Sequence, residues 1–161
     1  MSLINLIVLD IDGVFTSGTI LIDKNGNEFK SISFRDIDAY FRLKQKGYTI
    51  GFITGEDTPI VDYFEKRFSP DFLIRACKDK LSALRMLSAK YNIKLDSIAY
   101  CGDSHSDIAA LETCGFSFAP RNCSEKVRKV VRYLLSEDGG RGVIESLENK
   151  IEEINKNSNP S

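Results

Sequence analysis

The chain has 161 residues, 42% apolar and 28% charged, and 22 Lys and Arg against 23 Asp and Glu give a net charge of -1. That is the make-up of one soluble globular domain, and it excludes a disordered, collagen-like or mucin-like chain. It lacks the basic excess of an electrostatic nucleic-acid binder, no apolar run nears the ~18 residues that span a bilayer, and MSLINLIVLDIDG has neither the basic segment nor the cleavage site of a signal peptide.

The run 3–9 (LINLIVL) is apolar and ends in acid, as a buried strand does. Residues 19–34 form two alternating segments around Lys24-Asn25-Gly26-Asn27, and Asn-Gly signals a hairpin turn. A helix opens at Asp36 and closes on Gly47. A strand over 48–53 follows, then a helix from Thr58-Pro59 with proline in its first turn. A weak strand at 71–75 precedes a helix over 80–91, which puts Leu81, Ala83, Leu84 and Leu87 on one side. Then come a strand at 97–101, the loop GDSHSD, a short helix, a strand at 116–119 and a helix expected over 124–135. In that last helix Val127, Val130, Val131 and Leu134 interleave with a solvated basic face. A final helix is expected over 142–154, then a disordered polar tail over 155–161.

Strands alternating with helices imply parallel strands and crossover connections. The expected fold is therefore α/β: a doubly wound parallel sheet with a β-hairpin insertion after the first strand and no cap domain. Residues 1–154 form a single domain. Cys77, Cys101, Cys114 and Cys123 show no zinc or redox spacing and read as buried apolar side chains.

In such sheets ligands sit beyond the carboxyl ends of the strands. Asp10 and Asp12 follow the first strand, Thr54 and Gly55 the 48–53 strand, and Gly102, Asp103 and Asp107 the 97–101 strand; Lys80 follows the next break. Three carboxylates, a hydroxyl and a lysine thus converge on one sheet edge. Clustered carboxylates call for a cation, and hard oxygen ligands favour Mg²⁺. A Thr hydroxyl, a Gly amide and a Lys hold phosphate oxygens. One Asp can attack phosphorus, and a second, two residues on, can move the proton.

Asp10-Ile11-Asp12-Gly13-Val14, Thr54-Gly55, Lys80 and Gly102-Asp103 with Asp107, present in this order, resemble the four motifs of the haloacid dehalogenase superfamily of phosphatases. The short chain, the hairpin, Arg35-Asp36 and Gly139-Gly140-Arg141-Gly142 resemble its capless C0 branch. That branch holds 3-deoxy-D-manno-octulosonate (KDO) 8-phosphate phosphatases and relatives acting on nonulosonate (sialic-acid-like) 9-phosphates. The resemblance implies a Mg²⁺-dependent phosphoric monoester hydrolase of the cytoplasm that works through an aspartyl-phosphate. Asp10 would be nucleophile and Asp12 the acid/base, and Thr54 and Lys80 would bind the phosphoryl group. Asp10, the Asp12 carbonyl and Asp103 would hold Mg²⁺, and Asp107 would orient Lys80 or cap the following helix. Gly55, Glu56, Ser33, Arg35, Asp36 and Arg141 would complete the substrate contacts.

The partners implied are a phosphorylated sugar acid and other copies in a homotetramer whose hairpins enclose neighbouring sites, with no nucleic acid and no membrane. This sequence departs from the KDO 8-phosphate pattern at Glu56, Phe41 and Phe64, where arginine is usual, and at Ser104, where an acid is usual. Glu56 resembles the nonulosonate enzymes. The alternatives are a phosphatase of another small metabolite and a non-catalytic regulatory or oligomerisation module.

Overall fold

The computed structural model describes residues 3–159. Its main sheet has six parallel strands: β1 (Leu6–Leu9), β4 (Thr49–Ile53), β5 (Leu73–Ile74), β6 (Ile98–Cys101), β7 (Phe116–Ala119) and β8 (Tyr133–Leu134). They lie in the order β5-β4-β1-β6-β7-β8. With the hairpin set aside this is the doubly wound order 3-2-1-4-5-6, whose direction reverses between β1 and β6. The hairpin pairs β2 (Leu21–Ile22) with β3 (Glu28–Phe29). Its turn is tied by Asp23, whose carboxylate accepts from the Asn25 and Asn27 amides at 2.8 and 2.9 Å.

The central strands β1, β6 and β7 are buried along their whole length, so they read as continuous apolar runs rather than alternating ones. On one face Ile7, Leu9, Ile50, Phe52 and Phe118 pack against α1 (Phe34–Gln45), α2 (Pro59–Phe68) and α6 (Val143–Asn157). Phe15, Tyr40, Phe52, Phe64 and Phe68 form an aromatic cluster there, with the Phe15 and Phe68 rings 4.8 Å apart. On the other face Leu6, Val8, Ile98 and Tyr100 pack against α3 (Lys80–Tyr91), α4 (Ile108–Thr113) and α5 (Glu125–Val130).

Two expectations are corrected. The helix expected over 124–135 stops at Val130, and Val131 turns extended. Tyr133 and Leu134 then join the sheet edge beside Phe118 and Ala119. The valine spacing suits a helix, but Leu135 is needed in the core on the opposite face from Val127. The tail expected from 155 begins later, because α6 runs to Asn157. The buried Asn155 amide oxygen accepts from the Leu3 and Ile4 amides, both at 3.0 Å, and its nitrogen donates to the Tyr48 hydroxyl at 2.8 Å. Residues 160–161 of the expected tail lie outside the described residues.

Candidate active site

Between the carboxyl ends of β1, β4 and β6 lies a cavity of about 260 Å³. It is lined by Asp10, Asp12, Gly18, Thr54, Gly55, Glu56, Lys80, Asp103, Ser104 and Ser106. Asp10 leaves β1 in extended backbone, and one of its oxygens accepts from the Ile11 amide at 2.8 Å. The other oxygen lies 3.3 Å from Lys80 Nζ. Gly13 turns the chain with φ +83°, and a Cβ there would sit 1.8 Å from an Asp103 carboxylate oxygen. Glycine is therefore required both for the turn and for the approach of the β6 loop. Thr54 is buried at the end of β4 and accepts from the Glu56 amide at 3.2 Å, leaving its hydroxyl proton to donate.

Lys80 begins α3 and is almost fully buried between two carboxylates. Its ammonium donates to Asp107 at 2.8 Å. Asp107 has no exposed surface, and it also accepts from the Tyr100 hydroxyl at 2.7 Å and the Asp103 and Ser104 amides at 3.0 and 3.2 Å. Burial works against both charges. Asp10 and Asp107 nonetheless hold the Lys80 pKa above the usual lysine value, and Lys80, Tyr100 and the Ser104 amide hold Asp107 below the usual carboxylate range. Burial and then Asp107 push the Asp10 carboxyl well up, against the pull of Lys80. The site is thus short of positive charge where a phosphate would enter.

Residues 66–147 match the family model described as haloacid dehalogenase-like hydrolase, half of the chain. The chain belongs to the haloacid dehalogenase-like hydrolases. Within that family it is a phosphoric monoester hydrolase. It is 28% identical over 148 residues to the 3-deoxy-D-manno-octulosonate 8-phosphate phosphatase of Haemophilus influenzae, covering 92% of this chain and 82% of that one. The structure of the same-named phosphatase from Moraxella catarrhalis, in complex with magnesium, phosphate and KDO, superposes with a TM-score of 0.90. It is 31% identical, over 97% of this chain and 90% of that one. A cobalt-bound form of the Haemophilus influenzae enzyme superposes at 0.88 with 27% identity, over 96% of this chain and 91% of that one.

The structure brings Asp10, Asp12, Thr54, Gly55, Glu56, Lys80 and Asp103 of this hydrolase to one cavity. Four expected substrate contacts lie elsewhere. Asp36 has no exposed surface, and its oxygens accept from the Gly142 and Ile144 amides at 3.0 and 2.8 Å. It ties α1 to the start of α6 and is not open to a ligand. Ser33 caps α1, accepting from the Arg35 amide at 3.2 Å. Arg35 is exposed beside Glu145, and Arg141 is exposed in the loop before α6. None of the four lines this chain's cavity. Phe64, at one of the missing-arginine positions, is buried in the aromatic cluster, and the half-buried Phe41 stacks on Phe68.

Sequence reasoning passed over Thr16, Lys30 and Tyr100. The buried Thr16 hydroxyl accepts from the Gly13 amide at 3.2 Å and lies 3.3 Å from an Asp12 oxygen. Its signal was a hydroxyl four residues after Asp12. Tyr100 was legible only as an apolar strand residue. Lys30 carried no local signal.

The donor set suits a hard divalent cation. Oxygens of Asp10, Asp103 and Asp107 fall within 4.8 Å of one another, and Asp103 Oδ1 is buried without a hydrogen-bond partner. Asp107 is already saturated by four donors, so Asp10 and Asp103 are the side chains free to hold Mg²⁺. Burial and then Asp107 push the Asp103 pKa up to about 6 from its ordinary 3.8. A raised carboxyl stabilises the fold while protonated, and that contribution is lost as pH rises through about 6. At neutral pH the metal-free protein therefore carries a destabilising charge. Asp103→Asn is expected to raise the metal-free melting temperature by about 3 °C and to abolish the further rise that Mg²⁺ gives the wild type. Thermal scans with and without Mg²⁺ check both halves. A variant less stable without metal, or still stabilised by it, would contradict the assignment.

Proposed function

We propose that this hydrolase dephosphorylates a phosphorylated sugar acid, with Mg²⁺ bound, through a phosphoryl-Asp10 intermediate. The observation that carries the reading is the convergence of Asp10, Lys80 and the unpartnered Asp103 oxygen on one small cavity.

The Asp10 carboxylate attacks phosphorus, and the bond from phosphorus to the sugar oxygen breaks. Asp12 gives that oxygen its proton. A water then attacks phosphorus, Asp12 takes the proton from it, and the bond to Asp10 breaks to release phosphate. Lys80 and the Thr54 hydroxyl hold the non-bridging oxygens, whose negative charge Lys80 offsets. Asp107 keeps Lys80 aimed at Asp10 and the phosphate rather than at solvent. Mg²⁺ would be held by Asp10, the Asp12 carbonyl and Asp103, and when bound it would supply further positive charge to the transferring group.

Glu56 lines the cavity, and among the described residues no arginine does. A carboxylate there accepts hydrogen bonds from hydroxyls or an amide, which favours a nonulosonate 9-phosphate. The named relatives favour the second reading, KDO 8-phosphate. Mg²⁺-dependent phosphate release from the two substrates side by side decides between them. A higher kcat/KM on the nine-carbon substrate is expected, and a preference for KDO 8-phosphate would overturn the choice.

The hairpin exposes Ile20, Leu21, Ile22 and Phe29, and Phe34 beyond it is also exposed. So apolar a surface supports a homotetramer built on the hairpins. Arg35 and Arg141 would then serve the site of a neighbouring copy, where a sugar-acid carboxylate needs cations.

A further inference from the structure

The hairpin also reaches the site of its own chain. Thr16 pairs with Ile32 across the hairpin base, and the Ser17 amide donates to the Ser31 carbonyl at 3.3 Å. That register lays Lys30 over the loop holding Asp12. Its Nζ lies 2.8 Å from Asp12 Oδ1, and only 10% of the Lys30 side chain is exposed, against 33% for Asp12. The lysine stem lines the apolar hollow between the hairpin and α2, with Phe29, Ile32, Ile60 and Phe64. A lysine sheathed this way has little rotamer freedom left. To the same Asp12 oxygen the buried Thr16 hydroxyl donates at 3.3 Å. No step of the proposed reaction uses Lys30.

We infer that Lys30 is a positioning residue for Asp12: the hairpin delivers it to fix the carboxyl that hands a proton to the leaving sugar oxygen. The inference rests on Asp12 being that acid. Proton transfer requires hydrogen-bond reach of the leaving oxygen, and small misplacement of a reacting group is costly. Asp12 sits beside the Gly13 turn at the rim, and Lys30 and the Thr16 hydroxyl together close on one of its oxygens. Lys30 holds it without occupying the cavity, since Lys30 is absent from its lining.

The test uses leaving groups. A sugar alkoxide needs the proton, whereas p-nitrophenolate leaves without it, and kcat/KM reports the step in which the leaving group departs. Lys30→Met is expected to lower kcat/KM on a sugar-acid phosphate by about 30-fold, part of the 10²–10⁴ that a positioned acid contributes. On p-nitrophenyl phosphate it should stay near wild type, which also shows that the variant is folded with its nucleophile in place. Lys30→Arg should recover part of the loss. Asp12→Asn should show the same leaving-group pattern more strongly, and Lys30→Met added to it should cost nothing more. Equal losses of Lys30→Met on both substrates, or no loss on either, would overturn the inference while leaving Asp12 as the acid. An Asp12→Asn variant without leaving-group dependence would instead remove the acid itself, and the inference with it.

Discussion

Asp10→Asn is expected to lose turnover by on the order of 10⁴-fold or more, while the protein stays folded. The amide oxygen can still accept from the Ile11 amide, so the local turn survives. Lys80 keeps its 2.8 Å bond to Asp107. What disappears is the nucleophile. Burial and Asp107 push the Asp10 carboxyl well above its ordinary value, so its ionised form is the one the metal-free fold disfavours. The neutral amide removes that penalty. A melting temperature at or above that of wild type, in the absence of metal, is the expected companion of the dead enzyme. Circular dichroism with a phosphate-release assay measures both. Lost activity with a collapsed fold would leave the nucleophile unproved, and retained activity would contradict it.

Lys80→Met is the second large effect, and it strikes activity and stability together. Removing one partner of a buried ion pair leaves the other charge stranded, at about 3–5 kcal/mol. Asp107 would keep Tyr100 and two backbone amides, so the low end of that range is expected, a melting temperature lower by roughly 10 °C for a chain of this size. Turnover should fall about 10³-fold as the phosphate loses the cation that Lys80 brings to the cavity. Adding Asp107→Asn should recover part of the stability and none of the activity, because it removes the stranded charge but restores no cation. Full stability in the single variant would mean that Asp107 does not depend on Lys80.

The strand-end logic explains why so much of the candidate site was legible. Asp10, Asp12, Thr54, Lys80 and Asp103 each sit one to six residues past a buried apolar run or open a helix, so local sequence placed them. The same runs disclosed the doubly wound sheet. What escaped depends on contacts between distant segments. Asp36 looked like a substrate residue because Arg35-Asp36 resembles the substrate segment of the capless branch, yet it serves Gly142 and Ile144, more than 100 residues later. Lys30 gains its meaning only from the hairpin register that lays it on Asp12. The 124–135 segment has helical spacing, and only the sheet edge beside Phe118 and Ala119 converts its end into a strand. Asn155 read as polar tail because nothing near it reveals that the Leu3 and Ile4 amides require an acceptor.

The most direct test of the account is to mix the enzyme with Mg²⁺ and its phosphorylated substrate, quench in acid within a turnover, and map the protein by mass spectrometry. The mass of one phosphoryl group is expected on the peptide carrying Asp10, and it should be absent from Asp10→Asn. Wild-type turnover with Asp10 never modified, or a phosphoryl group on another residue, would contradict it.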